Sequence, residues 1–126
     1  MKTAILLFAH GARDPEWANP MRRVRAEMLA RHPDLLVELA FLEFLAPDLP
    51  ASVAALVSQG ARKIVIVPMF IAQGGHLKRD LPEMLEKLRS TWPETEFSLR
   101  RAIGEDDLVI HAMARATLQS SGFSAD

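Results

Sequence analysis

KIVIVPMF, residues 63–70, is the most hydrophobic run in the chain. Its β-branched residues would make both faces of an extended strand apolar. That predicts a central strand of a parallel sheet, covered on both sides. The residues that follow, FIAQGGHLKRDLP (70–82), do not look like packing. They set two glycines, a histidine and two basic residues ahead of a leucine-spaced segment. Upstream, TAILLFA (3–9) is another continuous apolar run of strand length. It too leads into a histidine-glycine pair, in FAHGARD (8–14).

Working outward, LVELAFLE (36–43) reads as a second strand and EFSLRRAI (96–103) as a weaker, more polar one that suits an edge. Helical patterns alternate with these runs. Trp17, Met21, Val24 and Met28 fall at helical spacing, with Asn19 and Pro20 as N-cap and first position. A second helix runs from Pro47 or Asp48 to Gln59, with Leu49, Val53, Leu56 and Val57 on one face and Gly60 as its closing residue. Leu77, Leu81, Leu85 and Leu88 mark a third helix, and Glu105 to Ser120 a fourth. This alternation predicts an α/β fold with an open, parallel four-stranded sheet in the order 2-1-3-4. Helices cover both faces in a flavodoxin-like three-layer arrangement, joined by right-handed crossovers within one domain spanning 1–126. In such sheets ligands sit beyond the carboxyl ends of the strands, at the switch between strands 1 and 3.

The totals narrow the function. With 126 residues, 49% hydrophobic and 25% charged, the chain fits a globular domain. Fifteen basic against sixteen acidic residues leave a net charge of −1, so nothing draws it to nucleic acid or to an anionic membrane. There is no cysteine, which excludes disulfides and thiolate metal sites. The opening MKTAILLFAH is too short for a membrane span and lacks a cleavage motif, so a cytoplasmic location is expected. GxGxxG, Walker A and GxSxG motifs are all missing, which removes the common nucleotide and triad readings.

The topology sends three metal-competent side chains to one sheet edge: His10 after strand 1, Glu43 at the end of strand 2, and His76 after strand 3. A lone histidine at a strand end commonly bonds only locally. Two at corresponding places, each beside glycine, point further, because glycine lets the backbone turn and a ligand approach. Gly74 and Gly75 precede His76 at a helix start, whose free N–H groups suit a carboxylate. Lys78 and Arg79 add positive charge there, and Arg13 could grip an anionic substituent, although all three also suit a solvated surface. Glu43 matters only if it faces the histidines, as a third ligand or as a residue that orients one. His32, at a helix end, and His111, within the last helix, are poor candidates.

FAHGARDPEW, FLEFLAPDL and above all VPMFIAQGGHLKRDLP resemble the short CbiX-type class II chelatases, relatives of the sirohydrochlorin chelatases SirB and CbiK. The resemblance extends to IGEDDLV (103–109) and so covers most of the chain. It implies a chelatase-like fold and the insertion of a divalent metal into sirohydrochlorin, cobalt first, with iron or nickel as alternatives, in cobalamin or siroheme biosynthesis. It implies no permanently bound cofactor, since the metal is substrate. His10 would be metal ligand and proton acceptor, and His76 the second ligand. Phe70, Ile71, Ala72, Gln73, Gly74 and Gly75 would line the tetrapyrrole cleft. The loop from Glu43 to Pro47, with Leu45, would face it; some relatives carry a third acidic ligand nearby, the place Glu43 would take here. It implies a homodimer. Ala12, where many members have serine, and Gln73, in a usually apolar loop, depart from the common pattern and leave substrate choice open. A non-catalytic tetrapyrrole or metal carrier of the same fold is the alternative, and an interaction domain without metal affinity a third reading.

Imidazole suits that chemistry. It binds cobalt, nickel and iron without the grip of a thiolate, and it titrates close to neutrality, so it can also take a proton.

Overall fold

A computed structural model describes residues 2–125. Its elements are β1 (Lys2–Ala9), α1 (Asn19–Arg31), β2 (Leu36–Phe41), α2 (Leu49–Ser58), β3 (Ala61–Pro68), α3 (Gly75–Thr91), β4 (Glu96–Leu99) and α4 (Asp107–Ser120), with short 3-10 turns at Pro15–Ala18 and Ile103–Glu105. The four strands form one parallel sheet in the order β2-β1-β3-β4, as the sequence predicts. Leu7 pairs with Leu39 on one side and Val67 on the other, and Ile64 of β3 pairs with both Ala4 and Phe97, which fixes β1 and β3 as the inner strands.

Alternation along the strands divides the interior in two. Ala4, Leu6, Phe8, Ile64 and Ile66 face α2 and α3, where they meet Val53, Leu56, Leu81, Leu85 and Leu88. Leu7, Ala9, Val37 and Leu39 face Met21, Val24 and Met28 of α1. α4 contributes no buried residue. One polar group lies deep in the first layer: the Ser52 hydroxyl donates to the Leu39 carbonyl at 2.6 Å. Ser52→Ala should therefore cost about 1 kcal/mol in a denaturant titration, by stranding a buried acceptor.

Several boundaries differ from the sequence reading. β3 begins and ends two residues early. Gly60, at φ 99°, turns the chain directly from α2 into Ala61, and Pro68, with no N–H, closes the ladder. β2 stops at Phe41, so Glu43 lies in the loop beyond it and does not end the strand. β4 ends at Leu99. The Arg100 N–H still donates to the Ile66 carbonyl, and the chain then turns into the 3-10 segment that precedes α4. Asn19 is not an N-cap. Ala18 holds that place, Pro20 is the second helical residue, and the cap-forming carboxylate is Asp14, which accepts from the Glu16 N–H of the preceding 3-10 turn. Trp17 lies in that turn, 45% exposed, and leaves the helical stripe to Met21, Val24 and Met28. Asp48 caps α2 through the Ala51 N–H.

Candidate functional site

The inner strand β1 delivers His10 to the carboxyl rim of the sheet, one residue past its last paired position. Gly11 then allows a close approach that no other residue would permit. A Cβ there would overlap the Glu43 carbonyl oxygen and come within 2.7 Å of its carbon. The 42–45 loop is thereby seated on the end of β1, and the Leu42 N–H donates to the Ala9 carbonyl at 2.8 Å. The result is a pair: Glu43 Oε1 lies 3.5 Å from His10 Nδ1. Beneath His10, the Phe70 ring lies 4.5 Å from the imidazole centroid and 6.2 Å from Phe8. Phe70 is 5% exposed and belongs to the interior cluster, so it floors the site and does not line an open cleft.

His76 sits elsewhere on the rim, on the first turn of α3, and is exposed. Among the described residues no three histidine or carboxylate side chains gather into one ligand set. His10 and Glu43 are brought together, and no ion pair or ring contact among the described residues joins His76 to either. The α3 N-terminus is capped by Gly74 with no side-chain hydrogen bond. The N–H groups of the first turn are thus open to an anion. Lys78 and Arg79 are exposed beside it, and neither forms an ion pair among the described residues. Gly74 and Gly75 do not serve the left-handed backbone or crowded contact that paired glycines suggest. Neither has a positive φ, and a Cβ on either would meet nothing within 4 Å. Ile71 and Ala72 are exposed and Gln73 is half-buried, so past Phe70 the loop presents its side chains to solvent. Leu45 is half-buried against the α1 side of the core. His32 follows α1 as its C-cap and His111 lies exposed on α4, and neither contacts His10 or Glu43.

Two contributors escape a reading of the sequence. Gly104 braces the 70–75 loop: its N–H donates to the Phe70 carbonyl at 2.9 Å, and a Cβ there would overlap Ile71 O and Cα. Phe44 stands 64% exposed next to Glu43, with the Arg13 guanidinium 5.3 Å over its ring. The stretch IGED held a signal for the first, a glycine between a strand and a helix. Nothing in the pattern marks the second.

Chemically, the His10–Glu43 pair is a cation-ready donor. With Nδ1 directed at a carboxylate, Nε2 is left for a metal or a proton. Side-chain exposures of 45% and 40% for His10 and Glu43 mean that a large ligand can reach them without prior opening.

A family profile described as CbiX matches residues 4–120. A sirohydrochlorin cobaltochelatase of Saccharolobus islandicus (strain L.S.2.15 / Lassen #1) is 37% identical over 111 residues, covering 83% of this chain and 85% of its own. Among solved structures, one described as a cobalamin (vitamin B12) biosynthesis CbiX protein from Marinobacter aquaeolei VT8 superposes with a TM-score of 0.79 at 28% identity, covering 94% of this chain and 96% of that one. The sirohydrochlorin chelatase SirB from Bacillus subtilis subspecies spizizenii, in complex with cobalt, gives 0.76 at 29% identity. It matches 97% of this chain, which spans 51% of the SirB chain.

Proposed function

The chain belongs to the CbiX family, and from that premise we propose that it is a sirohydrochlorin chelatase, inserting cobalt into the macrocycle in cobalamin biosynthesis. The observation that carries this reading is the His10–Glu43 pair at the carboxyl rim of an inner strand. It stands in a chain 37% identical to a sirohydrochlorin cobaltochelatase.

The reaction exchanges one divalent cation for two pyrrole N–H protons; no electron changes hands. His10 would hold the incoming metal through Nε2 and, as the ring nitrogens take the metal over, accept one of the two pyrrole protons there, the second leaving to solvent. Glu43 fixes the imidazole's orientation and offsets the cation's charge. His76 is the second ligand, supplied from the first turn of α3. Sirohydrochlorin carries many carboxylates, and the open N–H groups of that turn, with Lys78, Arg79 and Arg13, hold them. Ile71 meets the apolar face of the ring. The relative named sirohydrochlorin cobaltochelatase supports cobalt as the metal, while SirB has been solved both with cobalt and with Fe3+.

The working unit is a homodimer in the cytoplasm. α4 exposes Ile110, Met113 and Leu118 over one broad side, an apolar set that a second copy would cover. No helix among the described residues is long and apolar enough to cross a membrane.

The deciding measurement follows the visible absorbance of sirohydrochlorin with cobalt, iron or nickel, with and without protein. Acceleration above the spontaneous rate is expected, largest with cobalt. Tight binding of sirohydrochlorin with no acceleration for any metal would make the protein a carrier and end the enzyme reading. Glu43→Gln keeps the shape of the pair and removes its charge. It should slow cobalt insertion roughly 10- to 100-fold, the usual range for groups that orient a metal-binding histidine.

A further inference from the structure

Phe44 adopts φ 67°, the left-handed region that a bulky side chain occupies only when its surroundings hold it there. The restraints are visible. Gly11 admits the Glu43 carbonyl against β1, the Leu45 N–H donates to that same carbonyl at 2.8 Å, and the Phe41 N–H donates to the Pro47 carbonyl at 2.9 Å. The ring gains no burial in return. It is 64% exposed, absent from both interior clusters, and its one aromatic contact is the Arg13 guanidinium. A turn of this shape alone would be served better by glycine or asparagine. An apolar ring held out in water at such a cost points to a ligand.

The topology says which one. β2 and β3 flank β1 on either side. The loop after β2 carries exposed Phe44, the loop after β3 carries exposed Ile71, and His10 follows the strand between them. Strands two apart in a sheet are separated by about 10 Å, so a ligand touching both side chains over His10 must be broad and flat. Resting on the chelatase reading, we infer that Phe44 is a substrate-positioning residue. Its ring lies along the macrocycle, and Arg13, stacked on it, pairs with a peripheral carboxylate.

The test titrates sirohydrochlorin, without metal, against wild type, Phe44→Gly and Phe44→Tyr, and records thermal midpoints and cobalt-insertion kinetics for each. Phe44→Gly relieves the left-handed strain, so its midpoint should equal or exceed that of wild type. Its sirohydrochlorin dissociation constant and KM should both rise about tenfold, the scale of one lost aromatic contact, with kcat changed far less. Phe44→Tyr keeps a planar face and should bind like wild type. Unchanged binding by Phe44→Gly overturns the inference. So does weakened binding accompanied by a lowered midpoint, which would make the ring structural, and so does Phe44→Tyr binding as poorly as Phe44→Gly. Failure of wild type itself to bind sirohydrochlorin would remove the chelatase reading and this inference with it.

Discussion

His10→Ala should reduce cobalt insertion into sirohydrochlorin between about 10²- and 10⁴-fold, the range expected when a positioned proton acceptor is lost. Loss of the metal donor acts in the same direction. The fold should survive. His10 lies past the last paired residue of β1, its side chain is 45% exposed, and its ring contact is with Phe70. Removing that contact should lower stability by about 1 kcal/mol at most. Circular dichroism and a thermal melt would therefore look nearly native while the absorbance assay goes flat. Added imidazole should restore part of the rate, because the vacated space opens to solvent. His76→Ala should follow the same course, without the contact with Phe70 to lose. A His10→Ala protein that inserts cobalt at close to the wild-type rate would leave the proposed chemistry without its central residue.

Gly11→Ala should be the most damaging one-carbon change in the chain. The new methyl would have to share space with the Glu43 carbonyl oxygen and approach the Leu45 nitrogen at 3.5 Å. Both neighbours are backbone, so no side chain can swing aside. The 42–45 loop must lift off β1, straining the Leu42 to Ala9 hydrogen bond. We expect a loss of about 3 kcal/mol, the upper end for forcing a group into filled space. The molecules that remain folded should still insert cobalt at least tenfold more slowly, since Glu43 would no longer face His10. Gly74→Ala is the control. Its methyl would enter open space at an ordinary φ of −75°, so stability should stay within about 0.5 kcal/mol of wild type. If the two alanine variants melt alike, the packing described at Gly11 is wrong.

The contrast between those glycines shows how far the sequence could be read. Strand order was legible because TAILLFA and KIVIVPMF are apolar on both faces, a demand that only inner parallel strands make. His10 and His76 could be assigned to one rim because topology alone sends strand ends there. Within the rim, sequence could not rank the glycines. The GlyGly pair at 74–75 looked conspicuous yet borders empty space, whereas Gly11 and Gly104 each accept a neighbouring loop's backbone. Such contacts join segments some thirty positions apart and leave no local pattern. The resemblance places Phe70 in the cleft lining, as part of the 70–75 loop. β3 in fact ends two residues earlier, and the chain past Pro68 carries Phe70 back into the interior. Phe44 could not be singled out, because a positive φ at phenylalanine runs against its own propensity and is imposed by its surroundings.

Phe70 ties His10 to the buried interior of the sheet. The imidazole rests on a ring that itself abuts Phe8, deep in the sheet. His76 rides on an exposed turn that no side chain secures. Under the proposed ligand set, the two histidines would hold an ion unequally, one backed by the buried sheet and Glu43, the other carried on an exposed helix start.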